Sequence, residues 1–269
     1  MIAIQPLTPA PHLLPYLVGY FAGRMNAKSE PDTAYTIIPN GCLELIIHLD
    51  ELYCQLPTQE GLAQTPDYML IGLFSQPYRV SFQRAVPIFS IRFKPEAIPL
   101  LLGVPGKEVF NTYENIEHLL DSRFRDFGHR LRQCTCDAER VAWADQFFTH
   151  LLDRQRPTAD YVVTATQLIR DAIDQPLEVI SRRLHISQRQ LERKFKEQIG
   201  MTPKRYQRLM RLRKVVQTLE QHQTLDLTSV AYYCGYFDQA HFIKDFKRIT
   251  GYTPSVYRQE RQQLIYLPQ

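Results

Sequence analysis

Glycine is scarce in this chain, with 11 residues among 269, and the sequence has neither a glycine-rich phosphate loop nor a Gly-x-Ser-x-Gly nucleophile motif. No apolar run reaches the roughly 18 residues that a membrane-spanning helix requires. The first 15 residues contain four prolines and no Lys or Arg, which is unlike a secretory signal. These absences favour a cytoplasmic protein that is not an enzyme.

Cysteines are too few and too scattered for a disulfide framework. They lie at positions 42, 54, 134, 136 and 234, and an odd number is typical of reduced thiols. Cys134 and Cys136 are close enough to suggest metal or redox chemistry, but no His or Cys at zinc spacing follows them. We therefore predict no metal site and no cofactor.

Charge is distributed unevenly along the chain, although the overall formal net charge is only +4. Residues 1–157 contain 14 Lys and Arg against 17 Asp and Glu, a net charge of −3, whereas residues 158–269 contain 18 against 11, a net charge of +7. This asymmetry indicates a nucleic-acid-binding half joined to a half with another role.

Hydrophobic periodicity predicts an α+β protein. Alternating apolar residues predict a strand over 42–49, and spacings of three and four predict a helix over 137–153 with Asp137 as its N-cap. Further short strands are predicted at 68–74, 78–82 and 88–93, and further helices at 96–102 and 116–133. The predicted domains are residues 1–153 (β-rich 1–95, helical 96–153), a linker at 154–158, an all-α domain at 159–260 and a tail at 261–269.

The helical C-terminal part contains an internal duplication. Residues from 187 onward repeat at an offset of 51, while residues up to 185 repeat at an offset of 50, so one residue is inserted in the second turn. The matched pairs include Ser187 with Asp238, Leu191 with Phe242, Phe195 with Phe246, Gly200 with Gly251, Pro203 with Pro254 and Tyr206 with Tyr257. Each copy reads as a short helix, a turn and a capped second helix, which is a helix-turn-helix unit.

The second helix of each copy has an apolar stripe opposite a polar and basic one. A helix with such a face fits the major groove. There Arg recognises guanine, Glu accepts a hydrogen bond from the amino group of cytosine, and an apolar side chain contacts the methyl group of thymine. We predict that DNA bases are read by Arg189, Glu192 and Arg193 in the first copy and by Gln239, Ala240, Ile243 and Lys244 in the second.

Phosphate contacts are expected from other polar and basic residues of the same region. Between Ser181 and Lys214 the sequence has 12 Lys and Arg and two acidic residues, an excess that anionic DNA would neutralise. The alternative is a solvated basic face with no ligand. The predicted phosphate-binding residues are Gln190, Lys196, Lys204, Arg208, His241 and Lys247.

Four segments of the C-terminal part resemble the DNA-binding domain of AraC/XylS-type bacterial transcription regulators: Ile186–Lys196, Gly200–Tyr206, Gly235–Lys247 and Gly251–Tyr257. The resemblance covers about residues 160–259. It implies two helix-turn-helix units joined by a long helix over 203–221, which would place the two reading helices about one DNA turn apart. It also implies double-stranded DNA and RNA polymerase as partners, and a homodimer.

One position departs from the family pattern. His185 occupies the turn of the first unit where the family commonly has Gly, as at Gly235 in the second unit. If this turn requires a positive φ, His is among the less unfavourable alternatives to Gly.

The N-terminal part is more weakly similar to the sensor portion of a poorly characterised branch of these regulators, through Pro39–Gly41, Glu44–Ile46 and Ile91–Pro95. The resemblance implies a β-rich, cupin-like sensor for a small-molecule effector. Candidate effector-binding residues are Glu44, His48, Arg79 and Arg92. Two alternatives stay open: a module for dimerisation or partner binding only, and a cupin-like metal-dependent enzyme domain, since Glu44 and His48 share a strand face.

Overall fold

A computed structural model describes residues 2–25, 34–50, 54–58, 61–81, 84–154, 160–260 and 264–266. The N-terminal part is built on β-strands, and the expected order of a β-rich part followed by a helical part is confirmed. The strands are β1 (Ile2–Leu7), β2 (Leu17–Met25), β3 (Tyr35–Ile38), β4 (Leu43–His48), β5 (Gln55–Thr58), β6 (Gly61–Gln64), β7 (Tyr68–Ile71), β8 (Tyr78–Val80), β9 (Val86–Phe93), β10 (Tyr113–Asn115) and β11 (Leu264–Tyr266).

The largest sheet has six strands in the order β1-β2-β9-β4-β7-β10, and every neighbouring pair in it is antiparallel. A three-stranded sheet has the order β11-β3-β8, and β5 pairs with β6. Strand β4 lies inside the six-stranded sheet and is buried along its whole length. Its alternation separates two apolar clusters, because Leu43, Leu45 and Ile47 belong to one and Ile46 belongs to the other. Glu44 and His48, which also belong to this strand, are interior as well.

Helices cover one face of this sheet. They are α1 (Ile98–Leu101), α2 (Ile116–Leu119), α3 (Ser122–Gln133) and α4 (Asp137–Asp153). Four phenylalanines, at 124, 127, 147 and 148, pack in edge and stacked pairs where α3 meets α4, and Phe148 also contacts Phe93 of β9. Helix α4 has the predicted bounds, although Cys136 rather than Asp137 occupies the N-cap position.

The C-terminal part is helical from residue 161 to residue 259. Its helices are α5 (Tyr161–Asp171), α6 (Leu177–Arg183), α7 (Gln188–Ile199), α8 (Pro203–Gln221), α9 (Leu227–Tyr233), α10 (Gln239–Thr250) and α11 (Pro254–Gln259). The duplicated residues occupy equivalent places in it: Thr202 and Thr253 cap α8 and α11, each followed by Pro, and Gly200 and Gly251 end α7 and α10 with φ of 87° and 78°.

The two parts share one continuous apolar core. Most of the predicted linker lies outside the described residues, which omit 155–159. Within the predicted tail, Leu264–Tyr266 forms β11, which pairs in parallel with β3 of the N-terminal part. The chain therefore crosses back from the helical part to the β-rich part. Among the described residues, no helix has the length and apolarity to cross a membrane.

Candidate nucleic-acid interface

Two helix-turn-helix units lie at either end of α8. The first consists of α6 and α7, and the second of α9 and α10. Their turns use the same backbone hydrogen bond, which the amide of Ile186 donates to the carbonyl of Ser181 at 3.1 Å and the amide of Tyr236 donates to that of Ala231 at 3.0 Å. Helix α8 has 19 residues and is therefore about 28 Å long, slightly shorter than one turn of B-DNA.

Each second helix is fixed by a cap and an apolar anchor. Ser187 and Gln190 form a reciprocal capping box at the start of α7, and the carboxylate of Asp238 accepts from the amide of His241 at 2.7 Å at the start of α10. The anchoring side chains are almost completely buried in both units: Leu191, Phe195, Phe242 and Phe246. The two helices are therefore held rigidly, with their opposite faces in solvent.

The predicted base-reading residues lie on those outward faces. In α7, Arg189, Glu192 and Arg193 are all exposed. In α10, Ala240 and Lys244 are exposed, while Gln239 and Ile243 are half-buried because they lie nearer the rest of the unit. The side-chain oxygen of Gln239 accepts a hydrogen bond from the hydroxyl of Thr228 in α9, with an O···O distance of 3.1 Å. A shallow depression of about 510 Å³ runs along α10 and is lined by Ala240, Ile243, Lys244, Lys247 and Arg248.

Most of the predicted phosphate-binding residues are exposed, and two differ in burial or in hydrogen bonding. Lys196, Lys204, His241 and Lys247 are exposed, whereas Arg208 is half-buried. Gln190 is exposed, but its side-chain oxygen already accepts from the amide and hydroxyl of Ser187 in the capping box.

Several other cations of the basic stretch contact protein groups, although Arg205 among them is still exposed to solvent. The Arg211 guanidinium pairs with Asp174 at 2.9 Å, and Arg205 lies over the ring of Phe110 at 5.7 Å. Lys214 lies 5.2 Å from the ring centroid of Tyr233. The charge excess of α8 is thus partly used inside the protein, so only part of it is available for phosphates.

The two turns differ in length. Four residues separate α6 from α7, whereas five separate α9 from α10. His185 has a φ of 54° and Gly235 has a φ of 78° at the equivalent position, so the first turn holds a non-glycine residue in the left-handed region. The extra residue of the second turn is Phe237, and its side chain is 87% exposed. The change of offset in the repeat marked this insertion, but sequence reasoning gave Phe237 no role.

The candidate effector residues of the N-terminal part are placed in three different settings. Glu44 and Arg92 are both buried and form an ion pair at 3.2 Å. Glu44 also accepts from the hydroxyl of Ser90 at 2.5 Å, and the Arg92 guanidinium lies 3.8 Å from the centroid of the Phe21 ring. Arg79 is exposed on β8. The structure therefore brings Glu44 and Arg92 together and leaves Arg79 apart from them.

His48 lies in a separate buried cluster. Its Nε2 is 3.5 Å from the sulfur of Cys54 and 3.4 Å from the hydroxyl oxygen of Thr65. Burial lowers the pKa of His48, which favours the neutral imidazole. Within the described part of the chain, no group of three or more His, Cys, Asp or Glu side chains is arranged to hold a metal ion.

A cavity of about 420 Å³ lies between the β-rich and helical parts. Three cationic side chains line it, Lys94 from the N-terminal part and Arg170 and Arg213 from the helical part, together with the buried thiol of Cys42. Burial, reinforced by the nearby Arg170, lowers the pKa of Lys94, and burial raises the pKa of Cys42 to about 12. Sequence reasoning missed this cavity, because its walls come from five distant segments of the chain.

Polar and backbone contacts join the two parts around this cavity. Glu96 forms an ion pair with Arg170, which also donates to the hydroxyl of Tyr206 at 2.9 Å. Gly106 packs directly on the end of α7, so that a Cβ there would lie 2.1 Å from the carbonyl oxygen of Gln198. The first helix-turn-helix unit is thus in direct contact with the N-terminal part.

Comparison with family models divides the chain in the same way. A model described as a helix-turn-helix domain matches residues 180–260. A second model, described as a domain of unknown function (DUF6597), matches residues 5–115. The first match covers the first unit from residue 180 onward, α8 and the second unit, and the second match covers the six-stranded sheet except the first three residues of β1.

Relatives and solved structures agree with this division. The chain is 36% identical over 84 residues to the HTH-type transcriptional activator RhaS of Escherichia coli O157:H7, covering 31% of this chain and 30% of RhaS, and 38% identical over 88 residues to that of Citrobacter koseri, covering 33% and 31%. It therefore spans about a third of the length of these relatives.

The fold as a whole is similar to that of ToxT from Vibrio cholerae, with a TM-score of 0.51 and 13% identity over 89% of this chain and 97% of ToxT. A ToxT structure with bound (E)-4-(8-methylnaphthalen-1-yl)but-3-enoic acid gives a TM-score of 0.50 at 13% identity over the same shares. Together with the family model and the RhaS alignment, the two capped units place residues 180–260 in the AraC-type helix-turn-helix family.

Proposed function

We propose that this protein is a sequence-specific DNA-binding transcription regulator. The observation that carries this proposal is the pair of helix-turn-helix units, capped and anchored alike, whose second helices present exposed polar and basic faces at the two ends of one 19-residue helix. Such helices enter the major groove, and their separation along α8 suits successive grooves on one side of a duplex. The RhaS relatives are named as transcriptional activators, which supports the same role.

The proposed roles within the interface belong to side chains that are exposed or half-buried on these helices. Base reading is assigned to Arg189, Glu192 and Arg193 in α7 and to Gln239, Ala240, Ile243 and Lys244 in α10. Phosphate binding is assigned to Lys196, Lys204, Arg208, His241 and Lys247, and to Gln190 through its amide nitrogen, since the oxygen is engaged in the capping box. DNA is the direct partner. RNA polymerase as a second partner, a homodimeric state and a cytoplasmic location are parts of the same proposal.

We also propose that a small organic acid controls the protein by binding in the cavity between the two parts. The cavity volume of about 420 Å³ is within the usual range for small-molecule sites, which often lie between domains. Lys94, Arg170 and Arg213 supply positive charge, and Leu14, Leu17 and Val18 supply an apolar wall. A carboxylic acid bound to the similarly folded ToxT supports this class of ligand.

Three of the effector candidates predicted from the sequence, Glu44, His48 and Arg92, contact other protein groups in the interior. Glu44 and Arg92 form a buried ion pair, and the cavity that Glu44 lines has a volume of only about 20 Å³, which is too small for an organic effector. Glu44, His48, Arg79 and Arg92 remain predictions as effector-binding residues. No described cluster favours the metal-dependent enzyme, and we propose a protein without catalytic activity.

Selection of random duplexes by the full chain tests the DNA-binding proposal. We expect an enriched sequence with two half-sites about one helical turn apart. A pool without any enriched sequence would contradict sequence-specific binding.

Thermal unfolding with a panel of organic acids and neutral metabolites tests the effector proposal. A ligand that binds only the folded state raises the midpoint by mass action, and Arg213→Ala should abolish that rise for an acid. A shift from neutral compounds alone would contradict an acidic effector, and no shift from any compound would favour a module for dimerisation or partner binding.

A further inference from the structure

The second helix-turn-helix unit exposes an unusual aromatic surface. The described residues include four exposed large hydrophobic side chains, and three of them lie in this unit: Tyr232 at 62%, Tyr233 at 62% and Phe237 at 87% exposure. All three fall within six consecutive positions at the end of α9 and in the turn before α10. Clustered aromatic exposure of this kind marks a binding surface, whereas single exposed apolar residues are ordinary.

The duplication provides an internal comparison for this aromatic surface. The positions equivalent to Tyr232 and Tyr233 in the first unit are Arg182 and Arg183, which are also exposed. Phe237 has no equivalent, because it is the residue that makes the second turn one position longer. The two units therefore present different chemistry at the same place, two cations in one and three aromatic rings in the other.

The location of Phe237 indicates what it contacts. It immediately precedes Asp238, the N-cap of α10, and residues at the start of a recognition helix are those that reach base edges in the major groove. Further along the same helix, Ala240 leaves space and Lys244 and Lys247 supply positive charge. A phenyl ring at this point is suited to the methyl group of a thymine.

We propose that Phe237 is a base-reading residue that packs against a thymine methyl, and that the hydroxyls of Tyr232 and Tyr233 donate to the phosphates flanking it. This inference rests on the proposed DNA-binding function and names the chemistry by which the second unit binds. It predicts an asymmetric complex: the first unit releases counterions through Arg182 and Arg183, whereas these contacts of the second unit are neutral and insensitive to salt.

The test uses the full chain and the duplex enriched by selection. Phe237→Ala should weaken binding about tenfold, as expected for loss of one good base contact, with the slope of affinity against salt unchanged. The same variant should show no loss on a duplex in which deoxyuridine replaces thymidine in the second half-site, because the methyl group is already absent. Arg182→Ala is the matched control, and it should lower the salt slope by about one on both duplexes.

Three results would overturn the inference. One is an unchanged affinity in Phe237→Ala, and another is an equal loss on the thymidine and deoxyuridine duplexes. The third is normal DNA binding with loss of transcription in a reaction containing RNA polymerase, which would assign the aromatic surface to a protein partner. Because Phe237 is 87% exposed, its removal should leave the melting temperature unchanged. Failure of the unaltered chain to select any duplex would instead contradict the DNA-binding function itself.

Discussion

His185 concentrates backbone strain in the first helix-turn-helix unit. Its φ of 54° lies in the left-handed region, where glycine meets no steric penalty and other residues do. The second unit solves the same turn with Gly235. Comparison of the two turns can therefore measure the free-energy cost of a non-glycine residue in the left-handed region.

Replacing His185 with glycine should stabilise the protein. We expect His185→Gly to raise the free energy of unfolding by about 1 kcal/mol, because relief of the left-handed conformation outweighs the added freedom of the unfolded chain. Urea denaturation followed by circular dichroism measures this change. Gly235→Ala is the mirror control and should destabilise, since its φ is 78° and its Cβ would lie 2.3 Å from a carboxylate oxygen of Asp174. A destabilised His185→Gly variant would show that the imidazole makes a compensating contact.

The conformation or burial of a single residue could be predicted only where it depends on residues close to it in sequence. The turn at His185 could be anticipated because it depends on a few neighbouring residues. The burial of Glu44 and His48 could not be predicted from their shared strand face, because it depends on β3, β7 and β9, which lie elsewhere in the chain.

In the proposed interface, α7 and α10 read bases and Lys204 of α8 binds phosphate. Helices α7 and α10 present exposed side chains from faces whose opposite sides are anchored, whereas Lys204 lies exposed in the first turn of α8. Base contacts discriminate between sequences, and phosphate contacts strengthen binding to all of them.

Substitutions in these helices should separate the two effects. Arg193→Ala and Lys244→Ala should each weaken binding to the selected duplex by about 1–3 kcal/mol and relax preference at one base pair. Lys204→Ala should weaken selected and random duplexes equally and reduce the salt slope by about one. Fluorescence anisotropy titrations at several salt concentrations give both quantities. Equal effects of all three variants on random DNA would contradict this division of roles.

At the scale of elements, periodicity predicted more in the helical part than in the sheets. The helix over 137–153 and the repeated units follow from local spacing of apolar residues and from capping types such as Ser187 and Asp238. Strands β1, β2 and β3 were not predicted, since the prolines of the first segment obscure alternation and pairing with β9 and β8 is set by distant chain. The pairing of β11 with β3 has no local signal.

At the level of the whole molecule, the N-terminal part contacts the first helix-turn-helix unit through direct backbone packing. Gly106 lies against Gln198 and Ile199 at the end of α7, and Gly200 packs back against Gly106. Both contacts are with main-chain atoms, which cannot rotate away as a side chain can. Any movement of this part of the sensor would therefore shift α7 directly.

A methyl group at Gly106 should loosen this junction. The Cβ of Gly106→Ala would lie 2.1 Å from a carbonyl oxygen, so the two parts must separate locally, at a cost of about 1–3 kcal/mol. We expect a lower melting temperature and a smaller effect of any bound acid on DNA affinity. Gly19→Ala is the control, because its Cβ would make an ordinary contact at 3.5 Å. Unchanged stability and unchanged coupling in Gly106→Ala would show that the contact transmits nothing.

The net charge of +4 is the sum of an acidic N-terminal half and a basic C-terminal half, and the structure shows which cations of the basic half are exposed. The basic half does not present all its charge to DNA, because Arg170 and Arg213 turn toward the N-terminal part and Arg211 toward Asp174. Sequence arithmetic located the basic half but could not distinguish cations that face solvent from those that line an interior cavity.

Strand β11 has a consequence for the order of events during synthesis. Its partner β3 leaves the ribosome early, but Leu264–Tyr266 emerges only after both DNA-reading units have been made. The small sheet to which they belong is therefore completed late, after the helices between them are available to fold. In a nascent chain the N-terminal part would therefore lack β11 until the helical part has been made, and the pairing of β11 with β3 would add a second connection between the two parts at the end of synthesis.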